Sequence, residues 1–355
     1  MTCFHPRKIY IRGFYPAERP TEEMLHDLNK AKFKPYPGYY ELKVPCGQCI
    51  GCILDHANTW ATRCAMECSC HTDNCFITLT YNDALRIAKR TGGNKYKYNL
   101  PRNKDGKPTL YLKDFSNFMK RLRKKHPEIK IRFFAAGEYG PKNGRPHYHA
   151  IIFGYKPKDL KLWTLNQQEQ PLYISEELEQ IWGHGFVTVG EATYESACYV
   201  ARYCMKKWGL AEKKIETYRK IVKENGKYRI KKCRRTIKKE VEPEFINMSR
   251  NGGIGLQKFY EDFEKIKRNS GILVKQNIKK IPKLFKKKWE EMDWEDFHRW
   301  AFENRKRGEQ TWKEILDKYT YPTKDYEEKE KIYLQEQERL LYKKIPKLHR
   351  DNIIQ

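Results

Sequence analysis

His147-Tyr148-His149 lies in HYHAIIFG (147–154), a run whose aromatic and β-branched residues predict a strand. Alternate residues of a strand leave the same face, so the two imidazoles emerge side by side, close enough to hold one metal ion. Ala150 and Ile152 then face the other way, toward a helix layer. IKIRFFAAGE (129–138) predicts a second strand, and the turn-forming YGPKNGRP between them predicts an antiparallel hairpin. A register with residue 138 opposite 147 brings Glu138 out beside the histidines, at the ~5 Å spacing of cross-strand neighbours. Two His and one carboxylate leave the other positions of an octahedral ion to waters and a phosphate oxygen. An H-x-H pair alone is more often two ordinary histidines; a register-matched carboxylate shifts the balance toward a metal centre.

SACYVARYCMKK (196–207) falls in a helix predicted from Glu195 to Trp208. Tyr199 and Tyr203 are four apart and share a helix face, and Lys206 and Lys207 follow within the next turn, in reach of a phosphate held near the hydroxyls. In isolation this reads as an amphipathic helix with buried aromatics and cations near its C-terminus. Beside a metal centre it specifies a reaction. The metal polarises a phosphodiester, a tyrosine hydroxyl attacks, and a 5′-phosphotyrosine and a free 3′-OH result. A second tyrosine can cleave again while the first stays loaded. A water nucleophile would give an ordinary metal nuclease with no need for the pair.

Cys46-x-x-Cys49-x-x-Cys52 has the thiolate spacing of a structural zinc site, with Cys3 as the fourth ligand and His5 or Cys64 as alternatives. A ferredoxin-type iron–sulfur run needs a cysteine at position 56, where His56 stands. The rival reading is a set of reduced, unliganded thiols. The chain has 11 cysteines, an odd number, and its start, MTCFHPRKIYIRGFYP, has no apolar h-region; both argue against a secreted disulfide framework.

The 355 residues carry 72 Lys+Arg against 45 Asp+Glu, a formal charge of +27, which points to nucleic acid as the polyanionic partner. An aromatic content of 14% excludes a disordered chain, and no apolar run approaches the ~18–20 residues that span a bilayer. The charge is densest at 206–239, with 15 Lys and Arg against 3 Glu. This segment, Arg234 and Arg235 included, reads as a phosphate-contacting insertion, the alternative being the solvated face of a charged helix pair. The outer face of 113–125 is also basic, and Tyr81 and Tyr155, near strand ends, are candidates for stacking on bases or for the core.

The elements that must position these groups are legible in part. CFITLTY (75–81) predicts a strand, and Phe115, Phe118, Met119 and Leu122 mark a helix over 112–125. After the hairpin come a Ser-capped helix (175–183), a strand (185–191) and the tyrosine helix. The order β–α–β–β–α–β–α resembles a split βαβ, ferredoxin-like α+β sandwich. The expected organisation is a Cys-rich N-terminal lobe (1–74), a catalytic core (75–210), the basic segment (211–250) and a helical C-terminal extension (251–355). In that extension helices are expected from about Leu256, over Lys287–Lys318 and over Tyr326–Lys344, with Trp289, Trp294, Trp300 and Trp312 as anchors.

GRPHYHAIIFG resembles the His-hydrophobic-His motif of HUH endonucleases, and YVARYCMKK resembles their Y-x-x-x-Y-x-x-K motif. MTCFHP, VPCGQCIGC, GEYGPKNGRPHYHAIIFG and EFINMSRNGGIG, in this order up to about residue 260, are similar to the replication initiation proteins of microviruses, in particular the gokushovirus branch. The resemblance implies an HUH core with His147 and His149 as ligands to Mg²⁺ or Mn²⁺, Tyr199 and Tyr203 as nucleophiles and Lys206 as the motif lysine. Glu138 as third ligand rests on the hairpin register, not on the motif. It further implies nicking of the plus strand of replicative duplex DNA at the origin, priming of a host polymerase, and rejoining of the displaced strand in the host bacterial cytoplasm. No Walker motif is present, so unwinding would need a partner helicase. Competing readings are a single-tyrosine plasmid or transposon relative, a non-catalytic zinc-containing DNA-binding protein and, more remotely, a 2-His-1-carboxylate iron oxygenase.

Overall fold

Apolar side chains on every second residue are what turn a strand into the floor of a core, and CFITLTY has them: Cys75, Ile77, Leu79 and Tyr81 are buried while the residues between are half-buried. A computed structural model describes residues 3–12, 39–82, 100–140, 144–166, 169–203, 215–224, 227–236, 241–318 and 323–350. They fall into two compact units, Met1–Thr59 with Glu261–Ile353, and Trp60–Tyr260 with the last two residues.

The first unit begins with a two-stranded ribbon, β1 (Arg7–Arg12) and β2 (Tyr39–Val44), followed by α1 (Ile50–Cys68), which continues into the second unit. The second unit then runs β3 (Asn74–Tyr81), α2 (Leu112–Lys125), β4 (Arg132–Tyr139), β5 (Pro146–Phe153), β6 (Lys161–Leu165), β7 (Pro171–Ile174), α3 (Glu176–Trp182), β8 (Gly185–Glu191) and α4 (Tyr194–Tyr203). It ends with the hairpin β9 (Ile215–Glu224) and β10 (Lys227–Thr236), then β11 (Phe245–Met248) and α5 (Leu256–Glu261). The first unit resumes with α6 (Phe263–Asn269), the short pair β12 (Ile272–Val274) and β13 (Asn277–Lys279), and the helices α7 (Lys283–Met292), α8 (Trp294–Asp317) and α9 (Tyr326–Arg350).

Seven strands of the second unit form one antiparallel sheet in the order β11-β4-β5-β3-β8-β7-β6. One face, carrying Ile77, Leu79, Phe133, Tyr148, Ala150, Ile152, Val187 and Val189, packs on α2 through Phe115, Phe118, Met119 and Leu122, and on α3 through Leu178, Ile181 and Trp182. The other face receives α4 over β4 and β5, and Trp60 of α1 stacks on Phe134. The fold is mixed α+β with an antiparallel sheet, as the element order suggests.

Several elements differ from expectation. The β6–β7 hairpin has no alternating pattern to announce it, since every residue of β6 is exposed. β11 joins the sheet edge beside β4 from about a hundred residues downstream, a pairing that local periodicity cannot encode. The basic segment forms a β-hairpin across the described residues, not a helix pair. The helix expected over 287–318 is two helices: Asp293 adopts an extended backbone (φ −149°, ψ 96°), ends α7, and accepts a hydrogen bond from the Asp296 N–H to cap α8.

β8 starts at Gly185 with φ +149°, where an added Cβ would sit 2.4 Å from the Asn82 nitrogen and 2.5 Å from the Thr80 oxygen. Gly144 also has positive φ (+56°) but open space around it. Gly185→Ala is therefore expected to lower the thermal midpoint well beyond Gly144→Ala, whose cost is only the left-handed backbone, ~1–2 kcal/mol. Differential scanning fluorimetry of the two variants checks this, and equal shifts would contradict the close-approach argument.

Candidate active site

The site is built on one row of residues across the sheet. Glu138 of β4 stands opposite His147 of β5, which stands opposite Thr80 of β3. Two residues along β5, His149 stands opposite Ala136 and Thr78. The register on which the carboxylate depends is thus present, and Glu138 Oε1 lies 2.5 Å from His147 Nε2 and 3.0 Å from His149 Nε2. These three are a group whose ligand atoms all lie within 4.8 Å of one another.

The groups behind the imidazoles aim them. His147 Nδ1 lies 3.1 Å from the Arg145 carbonyl, which can only accept, so that nitrogen carries a proton. His149 Nδ1 lies 2.9 Å from Thr78 Oγ1. Both Nε2 atoms turn to the carboxylate, the orientation in which histidines bind metals with a fixed tautomer. With its Nδ1 proton committed to Arg145, a neutral His147 has no second proton for Glu138; a cation among the three groups removes that mismatch. Glu138 Oε2 is buried without a hydrogen-bond partner, an acceptor that a cation would also satisfy. Burial works to raise the Glu138 carboxyl, but hydrogen bonds from His147 and His149 outweigh it and hold it below the ordinary carboxylate range. Burial pushes His149 down, favouring the neutral ring that a metal needs. The donor set fits a divalent cation.

α4 brings the nucleophile candidate. It opens with a reciprocal cap, Thr193 N–H donating to Ser196 Oγ (2.8 Å) and Ser196 N–H to Thr193 Oγ1 (3.1 Å). Buried Ala197, Val200 and Ala201 let the helix approach the sheet closely, and Tyr199 meets the histidine from its rim. Its hydroxyl lies 3.4 Å from His149 Nε2, and the rings meet edge to face at 5.0 Å. Phe76 stacks on the far side of His149 (5.7 Å, 10°) and walls the site.

A second cluster lies in the first unit. Cys3, Cys46, Cys49 and Cys52 have their sulfurs mutually within 4.8 Å, with Cys46 to Cys52 at 3.9 Å and Cys49 to Cys3 at 4.0 Å. A tetrahedron of ~2.3 Å metal–sulfur bonds has edges of about 3.8 Å, whereas a disulfide would need ~2.05 Å. Backbone N–H groups donate to the sulfurs: Cys46 to Cys3, Phe4 to Cys49, and Gln48 and Cys49 to Cys46. Burial would raise the Cys46 thiol, but these donors and the thiols of Cys3 and Cys49 bring it down to about 6. His5, the alternative ligand, pairs with Glu338 instead.

The other sequence candidates fare differently. Tyr203 is the last described residue of α4, and Lys206 and Lys207 lie outside the described residues. Arg234 and Arg235 lie on β10, opposite Thr217 and Glu216. Tyr81 is a correction: it is 1% exposed, and its hydroxyl donates to Asp114 and bonds Tyr148, so it belongs to the core and offers no surface to a base. Tyr155 is buried as well. The basic face of α2 is also partly a structural device. Arg121 bonds the carbonyls of Ile181 and Trp182, Arg123 that of Ile131, and Lys125 pairs with Glu177. Sequence reading missed Thr78, Phe76 and the Arg145 carbonyl; the signal available was that 76 and 78 share one strand face beside a strand bearing the histidines.

The family of replication-associated proteins of the phage ORF2 type matches residues 74–208. The chain is 30% identical over 305 residues to the replication-associated protein ORF2 of Spiroplasma virus 4, covering 83% of this chain and 82% of that protein. It is 32% identical over 232 residues to the replication-associated protein VP4 of Bdellovibrio phage phiMH2K (62% and 67%). It is 33% identical over 202 residues to the replication-associated protein ORF4 of Chlamydia phage 1 (52% and 45%). No solved structure matches it.

Because Thr78 orients His149, Thr78→Val is expected to weaken Mn²⁺ binding on the order of 10–100-fold. Isothermal titration of Mn²⁺ into the two proteins measures it; unchanged affinity would show that the hydroxyl does not position the ring.

Proposed function

Since the chain belongs to the replication-associated proteins of gokushovirus-type phages, we propose that it starts rolling-circle replication by nicking the plus strand of replicative-form DNA through a tyrosine. The observation that carries this reading is the convergence of Glu138, His147 and His149 with the Tyr199 hydroxyl at 3.4 Å from His149. The order of the four inner strands supports a ferredoxin-like HUH core. Counted along the chain as β3, β4, β5 and β8, they lie as second, third, first, fourth, the arrangement of a split βαβ sheet.

Mg²⁺ or Mn²⁺ bound at Glu138, His147 and His149 supplies charge that polarises the scissile phosphate. The Tyr199 oxygen bonds to phosphorus, the bond from phosphorus to the 3′ oxygen breaks, and the tyrosyl proton ends on that oxygen. A 5′-phosphotyrosine and a free 3′-OH result, with no net hydrolysis. Glu138 keeps its negative charge throughout, and the Arg145 carbonyl and Thr78 hold the two rings in place. Tyr203, one helical turn on, attacks in the second cleavage that releases and rejoins the displaced strand, and Lys206 neutralises phosphate charge. The 3′ end primes a host polymerase, a host helicase opens the duplex, and the reaction takes place in the bacterial cytoplasm. No helix among the described residues is long and apolar enough to cross a membrane. The four-cysteine cluster holds a structural Zn²⁺ that ties residue 3 to the start of α1.

Incubated with Mn²⁺ and single-stranded fragments tiling the cognate phage genome, the protein is expected to form an SDS-resistant DNA adduct with the origin fragment. Tyr199→Phe/Tyr203→Phe should form none; adduct in that double variant, or none in wild type with any fragment, would sink the mechanism. Elemental analysis of dialysed protein is expected to find about one zinc per chain, lost in Cys49→Ser/Cys52→Ser. Zinc retained in that variant would place it elsewhere.

A further inference from the structure

The row of residues that positions the metal ligands continues beyond them. Glu138 faces His147, His147 faces Thr80, and Thr80 faces Phe186 of β8. Directly paired residues of an antiparallel sheet share a face, so Phe186 emerges on the side of the sheet that carries the metal site. It lies two strand spacings from His147, ~10 Å. The indole of Trp163 meets the Phe186 ring edge to face, with centroids 4.9 Å apart. Trp163 sits at the irregularity in β6–β7 pairing between Leu162 and Thr164, a bulge that re-aims a side chain at a sheet edge.

This tryptophan is 52% exposed, unlike the core indole of Trp182. The stretch of β3 and β8 between it and the histidines is surfaced by Thr78, Thr80 and Thr188, all half-buried. An open aromatic pair at the end of a lane of hydroxyls, on a chain of charge +27, suits a single nucleic-acid strand: phosphates are drawn by charge and a base by the ring. Tyr81, the aromatic that sequence reading favoured, cannot serve, since it faces the core.

We infer that Trp163, supported by Phe186, is the stacking platform for a base of the DNA strand engaged at the metal site, a nucleotide or two from the scissile phosphate. The inference rests on the nickase reading for the identity of the strand. The platform sets where the strand lies relative to Tyr199, and Leu162 and Leu165, exposed on the same edge strand, flank it.

The test measures binding of a fluorescein-labelled oligothymidylate by anisotropy at two salt concentrations, for wild type and Trp163→Ala, Trp163→Leu and Trp163→Phe. Wild-type adduct formation with genome fragments and Mn²⁺ is followed in parallel. Trp163→Ala and Trp163→Leu are expected to weaken binding on the order of tenfold. The loss should be equal at both salts, because no charge is removed. Trp163→Phe, which keeps a π-face, should stay near wild type. Since Trp163 is half exposed, thermal midpoints should hold, and Trp163→Leu keeps the apolar contact should Trp163→Ala unfold. Binding within twofold of wild type in Trp163→Leu overturns the inference. So does a wild-type dimer in sedimentation that Trp163→Leu dissociates, which would give the surface to a second copy of the chain. Adduct with unchanged Trp163→Leu binding removes the platform and leaves the nickase; Trp163-dependent binding without any wild-type adduct does the reverse.

Discussion

Everything at the candidate site depends on one pairing, Glu138 opposite His147 in the β4–β5 hairpin. Side-chain direction alternates along a strand, so a slip of one residue would carry the carboxylate to the far face and leave the histidines with no acidic partner. The register is held by what lies on that far face. Phe133 and Ala135 of β4 and Tyr148, Ala150 and Ile152 of β5 are buried together against α2 and α3. Tyr148, between the two histidines, is fixed most firmly: its hydroxyl bonds Tyr81 and both backbone groups of Tyr111. The hydrophobic face and the chemical face are thus one constraint seen from two sides.

Around that pairing the polar groups are arranged so that each ring nitrogen has a defined task. A carbonyl and a threonine take the Nδ1 positions, which leaves both Nε2 atoms for the carboxylate and the ion it would hold. The carboxylate remains ionised in a buried place only because the imidazoles oppose the burial penalty. The cysteine cluster follows the same logic with other donors: backbone N–H groups stabilise a thiolate at Cys46 that burial alone would disfavour.

Much of this was legible because it is local. The i, i+3, i+4, i+7 apolar set gives α2 its bounds, the His-x-His alternation gives the shared face, and the turn between the strands gives the hairpin. The four cysteines converge although Cys3 is more than forty residues from the rest. What was not legible is non-local or ambiguous in composition. Tyr81 ends its strand in sequence, but Trp182 and Asp114, brought in by two helices, make it core. Arg121 and Arg123 look like a DNA-facing surface until the carbonyls they bond are known. The β6–β7 hairpin, with apolar residues left exposed, has no burial period to read, and it is there that the exposed tryptophan sits.

The central claim is that the oxygen of Tyr199, set at the rim of the Glu138–His147–His149 cluster, becomes bonded to DNA phosphorus. Mass spectrometry of the trypsin- and nuclease-digested covalent complex reads that bond directly. The account predicts a nucleotide on Tyr199, in the peptide that ends at Arg202, with any second linkage on Tyr203 of the same helix. A nucleotide attached to a residue outside α4 would contradict it.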